Sequence, residues 1–197
     1  MVIINKIILA SKSPRRREIL QKFTQDFEIK QVYSDESFDE KFDLITNIMS
    51  VSRNKGKKLS EDFPNKVIIS ADTIVVYNNE ILHKPKNEKE ARNYLKLLSN
   101  KTHKVITAFS IISLEDEISV SDYVTTEVKF HYLTNEIIDE YIKTLDWKDK
   151  AGGYGIQGYG SILIDYIYGD FYCVVGLPIS KLSLYLKNYF EINLLRG

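Results

Sequence analysis

The sequence predicts an α/β fold of the α+β kind, a mixed twisted sheet with flanking helices, and three observations carry that prediction. Strand-like and helical stretches alternate along most of the 197 residues. Val67 to Tyr77 is an almost unbroken apolar, β-branched run, the pattern of a strand buried on both faces. Residues 104 to 114 and 118 to 132 flank Glu115-Asp116 as paired strands, which adds a hairpin to the sheet. The length favours one domain spanning 1 to 197, with room for two lobes.

Lys6 to Ala10 is a short apolar strand that runs into Ser11-Lys12-Ser13-Pro14, where a serine N-cap precedes proline at the first helical position. The helix that follows reaches about Phe23 and buries Ile19, Leu20 and Phe23. Residues 27 to 33 are extended. Leu44, Ile48, Val51 and Leu59 recur at helical spacing and predict a helix over 43 to 60, with Lys55 on the same inward stripe. The strand from Val67 ends at the turn Asn78-Asn79, and Lys86 to Ser99 is helical with Ala91, Leu95 and Leu98 on one side. Thr134 caps a helix to about Leu145 whose apolar side is Ile137, Ile138, Tyr141 and Ile142. Five of the nine glycines fall between Gly152 and Gly160, ahead of a strand from Ile162 to Ile167 and a last helix opened by Pro178.

Composition narrows the function classes. Apolar residues at 44% and charged residues at 27% are ordinary for a globular protein. The 27 basic and 27 acidic side chains cancel, which argues against a nucleic-acid partner bound through a broad positive field, so any anion site is local. The single cysteine, Cys173, excludes an intrachain disulfide framework and a multi-cysteine metal cluster, and reads as a buried thiol. Asn5 and Lys6 break the first apolar run too early for a signal peptide, and nothing approaches the roughly 20 apolar residues of a membrane span. The expected location is the cytoplasm, with no membrane partner.

Two features could carry chemistry by themselves. Ser11-Lys12-Ser13-Pro14-Arg15-Arg16-Arg17 is a strand-to-helix junction where amide groups and the helix dipole favour an anion such as phosphate, although a well-capped helix with a solvated basic end has the same sequence. Successive helical residues turn by about 100°, so only one or two of the three arginines reach a common ligand. Asp72 is a carboxylate inside an apolar strand, where an unpaired charge is costly. A metal or a cationic cluster would meet it; so would backbone amides or a salt bridge. Strand alternation gives Asp72 a common face with Ile68, Ser70, Ile74 and Val76, and turns Thr73 to the other side.

Lys55 either contacts phosphate or extends its ammonium to solvent. Lys84, in His83-Lys84-Pro85, either projects toward Asp72 or lies on a surface loop. His83, His103 and His131 lack metal-ligand spacing and read as ordinary half-buried histidines. The glycines of 152 to 160 allow close backbone approach to a ligand, with Gln157 able to read a base edge, or they serve a loop crossing the sheet. No Gly-x-Ser-x-Gly is present, which disfavours nucleophilic catalysis.

Taken in order, Leu9-Ala10-Ser11-Lys12-Ser13-Pro14-Arg15-Arg16, Ser70-Ala71-Asp72-Thr73-Ile74-Val75-Val76, Lys84-Pro85, Leu98-Ser99, His103-Lys104-Val105-Ile106-Thr107, Lys150 to Gly158 and Val174-Val175-Gly176-Leu177-Pro178 resemble the Maf family over nearly the whole chain. The resemblance implies a Maf/Ham1-like α/β fold with a deep cleft, usually as a homodimer, that converts nucleoside triphosphates to monophosphates and pyrophosphate with a divalent cation, Mg²⁺ or Mn²⁺. It also implies roles. Asp72 matches the proposed proton acceptor; Ser11, Arg15, Arg16, Lys55 and Lys84 match polar and phosphate-handling positions; Glu36 matches an acidic residue that would share the metal with Asp72. Arg15, Thr73 and Gln157 look like the members that prefer dTTP and UTP, with 7-methyl-GTP or another modified nucleotide as the alternative substrate. A non-enzymatic role in cell division is the alternative function. The chain departs from the family pattern at Ser70, where Gly is frequent, at Gly56, where Ala is common, at Gly169-Asp170-Phe171, where Gly-Ser-Tyr is typical, and at Asp146, where a glutamate stands.

Overall fold

Ile7–Ala10 (β1) is buried along its whole length, as a strand with a parallel neighbour on each side must be. Those neighbours are Phe27–Lys30 (β2), in register from Ile7 opposite Phe27 to Ala10 opposite Lys30, and Val67–Tyr77 (β3), from Ile7 opposite Val67 to Ala10 opposite Ser70. Parallel pairing needs crossover connections. Pro14–Gln21 (α1) supplies the first and Leu44–Asp62 (α2) the second.

The computed structural model describes residues 6–33 and 36–196, so the signal-peptide reading of Met1 to Asn5 lies outside the described residues. After β3 come Glu80–Leu82 (β4), Glu88–Leu98 (α3), Thr102–Ser113 (β5), Ile118–Phe130 (β6), Asn135–Lys143 (α4), Ile164–Tyr168 (β7), Phe171–Val175 (α5) and Ile179–Phe190 (α6). Seven strands form one mixed sheet in the order β2-β1-β3-β5-β6-β7, with β4 paired antiparallel to β3. β6 and β7 are also antiparallel. The α/β architecture is therefore the expected one.

The chain divides into two compact units. One holds the described residues up to Asp72 together with Thr107–Val124 and the stretch from Gly176 onward. Its core includes Ile8, Ala10, Leu59 and Ile68, with Val32 and Phe63 packed against them. The other holds Thr73–Ile106 and Thr125–Val175, around Val75, Leu95, Leu98, Phe130, Ile138, Tyr141 and Trp147. Leu95 and Phe130 are fully buried, and each contributes about 2 to 3 kcal/mol by leaving water.

Several boundaries differ from those the sequence predicts. α1 stops at Gln21, leaving Phe23 beyond it and only half-buried. Ile137 is 39% exposed, so the inward side of α4 is Ile138, Tyr141 and Ile142. β7 begins at Ile164 because Gly158–Leu163 winds into a 3-10 turn. β4 and α5 carry too few residues to show a periodicity. The first follows the Asn78-Asn79 turn, both of whose residues have positive φ; the second follows Asp170, whose Oδ1 accepts from the amides of Tyr172 and Cys173. Cys173 is buried within α5, as expected.

Candidate active site

Asp72 and Lys55 meet because a strand and a helix present them to each other. α2 is opened by Asp43, whose Oδ1 accepts from the amides of Ile45 and Thr46 at 2.9 Å each. The Thr46 amide foremost holds the Asp43 carboxyl below its ordinary value. From this start Ile48, Val51, Ser52, Lys55, Gly56 and Leu59 line the buried stripe of the helix. On β3, alternation gives Ser70 and Asp72 one face, and the Ser70 hydroxyl donates to the Ser52 carbonyl of α2 at 2.7 Å. Two residues along, Lys55 Nζ stands 2.5 Å from Asp72 Oδ1. Lys55 is only 8% exposed, so it does not extend to solvent.

The same ammonium is 2.7 Å from Glu36 Oε1. Two carboxylates from different parts of the chain thus converge on one nitrogen, with Asp72 largely shielded and Glu36 more than half exposed. Glu36 lies on the segment between β2 and α2, and Asn47 fastens that segment. Its Nδ2 donates to the carbonyls of Asp39, Phe42 and Asp43, and its Oδ1 accepts from the Asp39 amide at 2.8 Å. Asn47 escaped the sequence analysis. A signal was there: Asn47, Val51, Lys55 and Leu59 follow one another at intervals of four on the buried stripe.

The junction between β1 and α1 belongs to the same unit. Ser11 is buried, and its hydroxyl accepts from the Ser13 amide at 3.1 Å, shaping the turn into α1. Ser13 caps that helix without a side-chain hydrogen bond, ahead of Pro14. The three arginines diverge as helical geometry requires: Arg17 is exposed, whereas Arg15 and Arg16 are half-buried. Arg16 donates from Nε to the Gly176 carbonyl at 2.7 Å. Burial of its guanidinium lowers its pKa, Asp72 and Glu36 oppose that shift, and Arg15 adds to it. Arg16, Lys55, Glu36 and Asp72 are therefore one electrostatic cluster.

The remaining predicted residues lie in the second unit. Thr73 follows Asp72 on β3 with its side chain on the opposite face, and is half-buried. Lys84 is exposed after β4, and Gln157 is half-buried just before the 3-10 turn. Asp146 has structural partners: its Oδ1 is 2.9 Å from Lys150 Nζ, and its Oδ2 accepts from the Gly160 amide at 3.2 Å. A Cβ at position 160 would collide with the Gly155 carbonyl, so that glycine serves close packing inside the loop.

His103 departs from its expected half-buried state. It is 2% exposed, with Nε2 2.6 Å from the Tyr154 hydroxyl and its ring edge-on to both Phe130 and Tyr154. Burial lowers its pKa to about 4, so the ring is neutral near pH 7. It anchors the glycine-rich loop through Tyr154. His83 and His131 are exposed. Among the described residues no three His, Cys, Asp or Glu side chains gather as a metal cage, and no helix is long and apolar enough to cross a membrane.

Residues 6–189 match the family model described as Maf-like protein. The chain is 46% identical over 191 residues to a protein of Clostridioides difficile named dTTP/UTP pyrophosphatase, covering 97% of this chain and 98% of that one. It is 48% identical to a protein of the same name from Pyrococcus furiosus, covering 89% and 91%. Among solved structures it is similar to the Ham1 protein of Staphylococcus aureus, with a TM-score of 0.47 and 15% identity over 81% of this chain and 80% of that one.

Proposed function

The chain belongs to the Maf-like protein family, and from that premise we propose that it hydrolyses the α–β phosphate anhydride of dTTP and UTP, releasing the monophosphate and pyrophosphate. One observation carries the assignment of the site: Glu36 and Asp72 converge on a single cationic nitrogen, at 2.7 and 2.5 Å. A divalent cation, Mg²⁺ or Mn²⁺, fits that donor set. Magnesium typically takes one or two carboxylates and completes its octahedron with substrate phosphates and water, so a third protein acid is unnecessary. When bound, the cation offsets charge on the phosphate oxygens and makes water a better nucleophile.

The Asp72 oxygen that meets Lys55 is the one that would hold the cation, and the other is assigned to the water that attacks the α-phosphorus. Asp72 is assigned both tasks, holding the cation and accepting the proton of that water. Arg16 and Lys55 bring positive charge to the triphosphate, with Ser11 fixing the turn from which α1 and its arginines start. Lys84 is assigned to phosphate, and Arg15, Thr73 and Gln157 to pyrimidine selection, on the family resemblance. The same resemblance supports a homodimer. Zero formal charge supports a free nucleotide as partner in preference to nucleic acid.

Pyrophosphate release is measured across dTTP, UTP, CTP, ATP, GTP and 7-methyl-GTP with Mg²⁺ or Mn²⁺. Turnover is expected to be fastest on dTTP and UTP. Preference for 7-methyl-GTP overturns the substrate assignment alone. Absence of turnover on every nucleotide overturns the enzymatic one and favours a binding role in cell division.

A further inference from the structure

We propose that Lys55 is a placeholder for the divalent cation: in the nucleotide-free protein its ammonium fills the point where Glu36 and Asp72 converge, and the cation gains that point only as nucleotide arrives. The inference rests on these two acids being the cation's ligands. The geometry supports exclusion, because two carboxylate oxygens already lie 2.5 and 2.7 Å from Nζ. Magnesium would bring oxygens to about 2.1 Å, which leaves no room for the ammonium between them.

Charge accounts for the coupling. Withdrawing Lys55 takes away the ammonium that both carboxylates contact, one of them largely shielded from water, and leaves Arg16 as the cation whose charge acts on both, so the ammonium stays until another cation replaces it. A displaced ammonium needs an anion in its turn. A triphosphate supplies one, and the lysine's flexible four-carbon stem, with three donors at its tip, allows the change of partner. The +1 charge moves to phosphate while the +2 charge takes the carboxylates. Metal and nucleotide therefore bind with positive cooperativity, each raising the other's affinity by the same factor. Free Mg²⁺ or Mn²⁺ alone binds weakly.

Mn²⁺ binding is read from the loss of the free-ion EPR signal, with and without the non-hydrolysable α,β-imido analogue of dTTP. The wild type is expected to bind Mn²⁺ at least about tenfold more tightly with the analogue present, and Lys55→Met to bind Mn²⁺ alone at least about tenfold more tightly than the wild type does. Lys55→Gln, which keeps an amide between the two acids, is expected to show the same gain. Adding Glu36→Gln to either variant abolishes it. If neither Lys55 variant gains affinity for Mn²⁺ alone, while analogue-dependent binding in the wild type still requires Glu36 and Asp72, the placeholder is wrong and the ligand assignment stands. If analogue-dependent binding survives both Glu36→Gln and Asp72→Asn, the ligand assignment itself is wrong.

Discussion

The hydroxyl of Ser70 lies 2.8 Å from the point a Cβ on Gly56 would occupy, so the strand's serine and the helix's glycine are made for each other. Ser70 and Gly56 are both positions where the sequence departs from the family resemblance, and in the fold they are neighbours. Gly56→Ala forces the Ser70 hydroxyl off the Ser52 carbonyl and leaves it buried without that acceptor, a cost of about 1 to 3 kcal/mol that the better helix propensity of alanine only partly offsets. The expected net loss is about 1 to 2 kcal/mol in a denaturant titration. Combined with Ser70→Ala, which removes the obstructing oxygen, Gly56→Ala should cost clearly less than it does alone. Additive losses would show that the two positions are independent.

Asp72→Asn retains the shape of the side chain and removes its charge. Lys55 then has Glu36 as its carboxylate partner, and the proposed cation loses one of its two protein ligands. Pyrophosphate release is expected to fall at least about 100-fold, the scale of losing a positioned proton acceptor, while the thermal midpoint moves little. Turnover close to that of the wild type would remove Asp72 from the chemistry.

Much of this cluster was visible in the sequence because its members violate their surroundings. Asp72 is a charge in an apolar strand, and Lys55 is a charge on an apolar stripe. The periodicities of α2, α3 and β3 likewise fixed those elements closely. What escaped depends on neighbours remote in the chain or on elements too short to have a period. Asn47 shares the four-residue spacing of the buried stripe, but its task of holding backbone atoms of Asp39 and Phe42 depends on the course of an irregular segment that has no period. His103 is paired with Tyr154, 51 residues away. Ile137 satisfied the apolar stripe of α4 but lies on its edge, where the helix turns to solvent.

Asn47 predicts a separable effect on the metal. With Asn47→Ala the Asp39 amide and the Phe42 carbonyl lose the Asn47 side chain, the carbonyls of Asp39 and Asp43 keep only the backbone amides of Phe42 and Asn47, and the segment carrying Glu36 loosens while Lys55 and Asp72 keep their own elements. Partners that orient ligands typically matter about 10- to 100-fold in metal affinity. The Mn²⁺ concentration for half-maximal activity should rise by about tenfold, with kcat at saturating Mn²⁺ changed far less. An equal loss at all metal concentrations would deny Asn47 this positioning role.

His103 gives stability a pH dependence whose direction follows from its burial. In the unfolded chain the imidazole takes a proton near pH 6.5, but in the folded protein only near pH 4, because burial among Phe130 and Tyr154 opposes the charge. Between these values the unfolded state binds the extra proton, so stability falls as pH drops from about 7 to about 4 and the loss levels off below that. The separation of the two values corresponds to about 3 kcal/mol. Urea titrations at pH 7 and pH 4.5 should show this decline, and His103→Gln, which cannot titrate, should show a shallower one. If wild type and variant decline in parallel, the neutral buried imidazole is not what opposes acid unfolding in this unit, and the carboxylates bear that role instead.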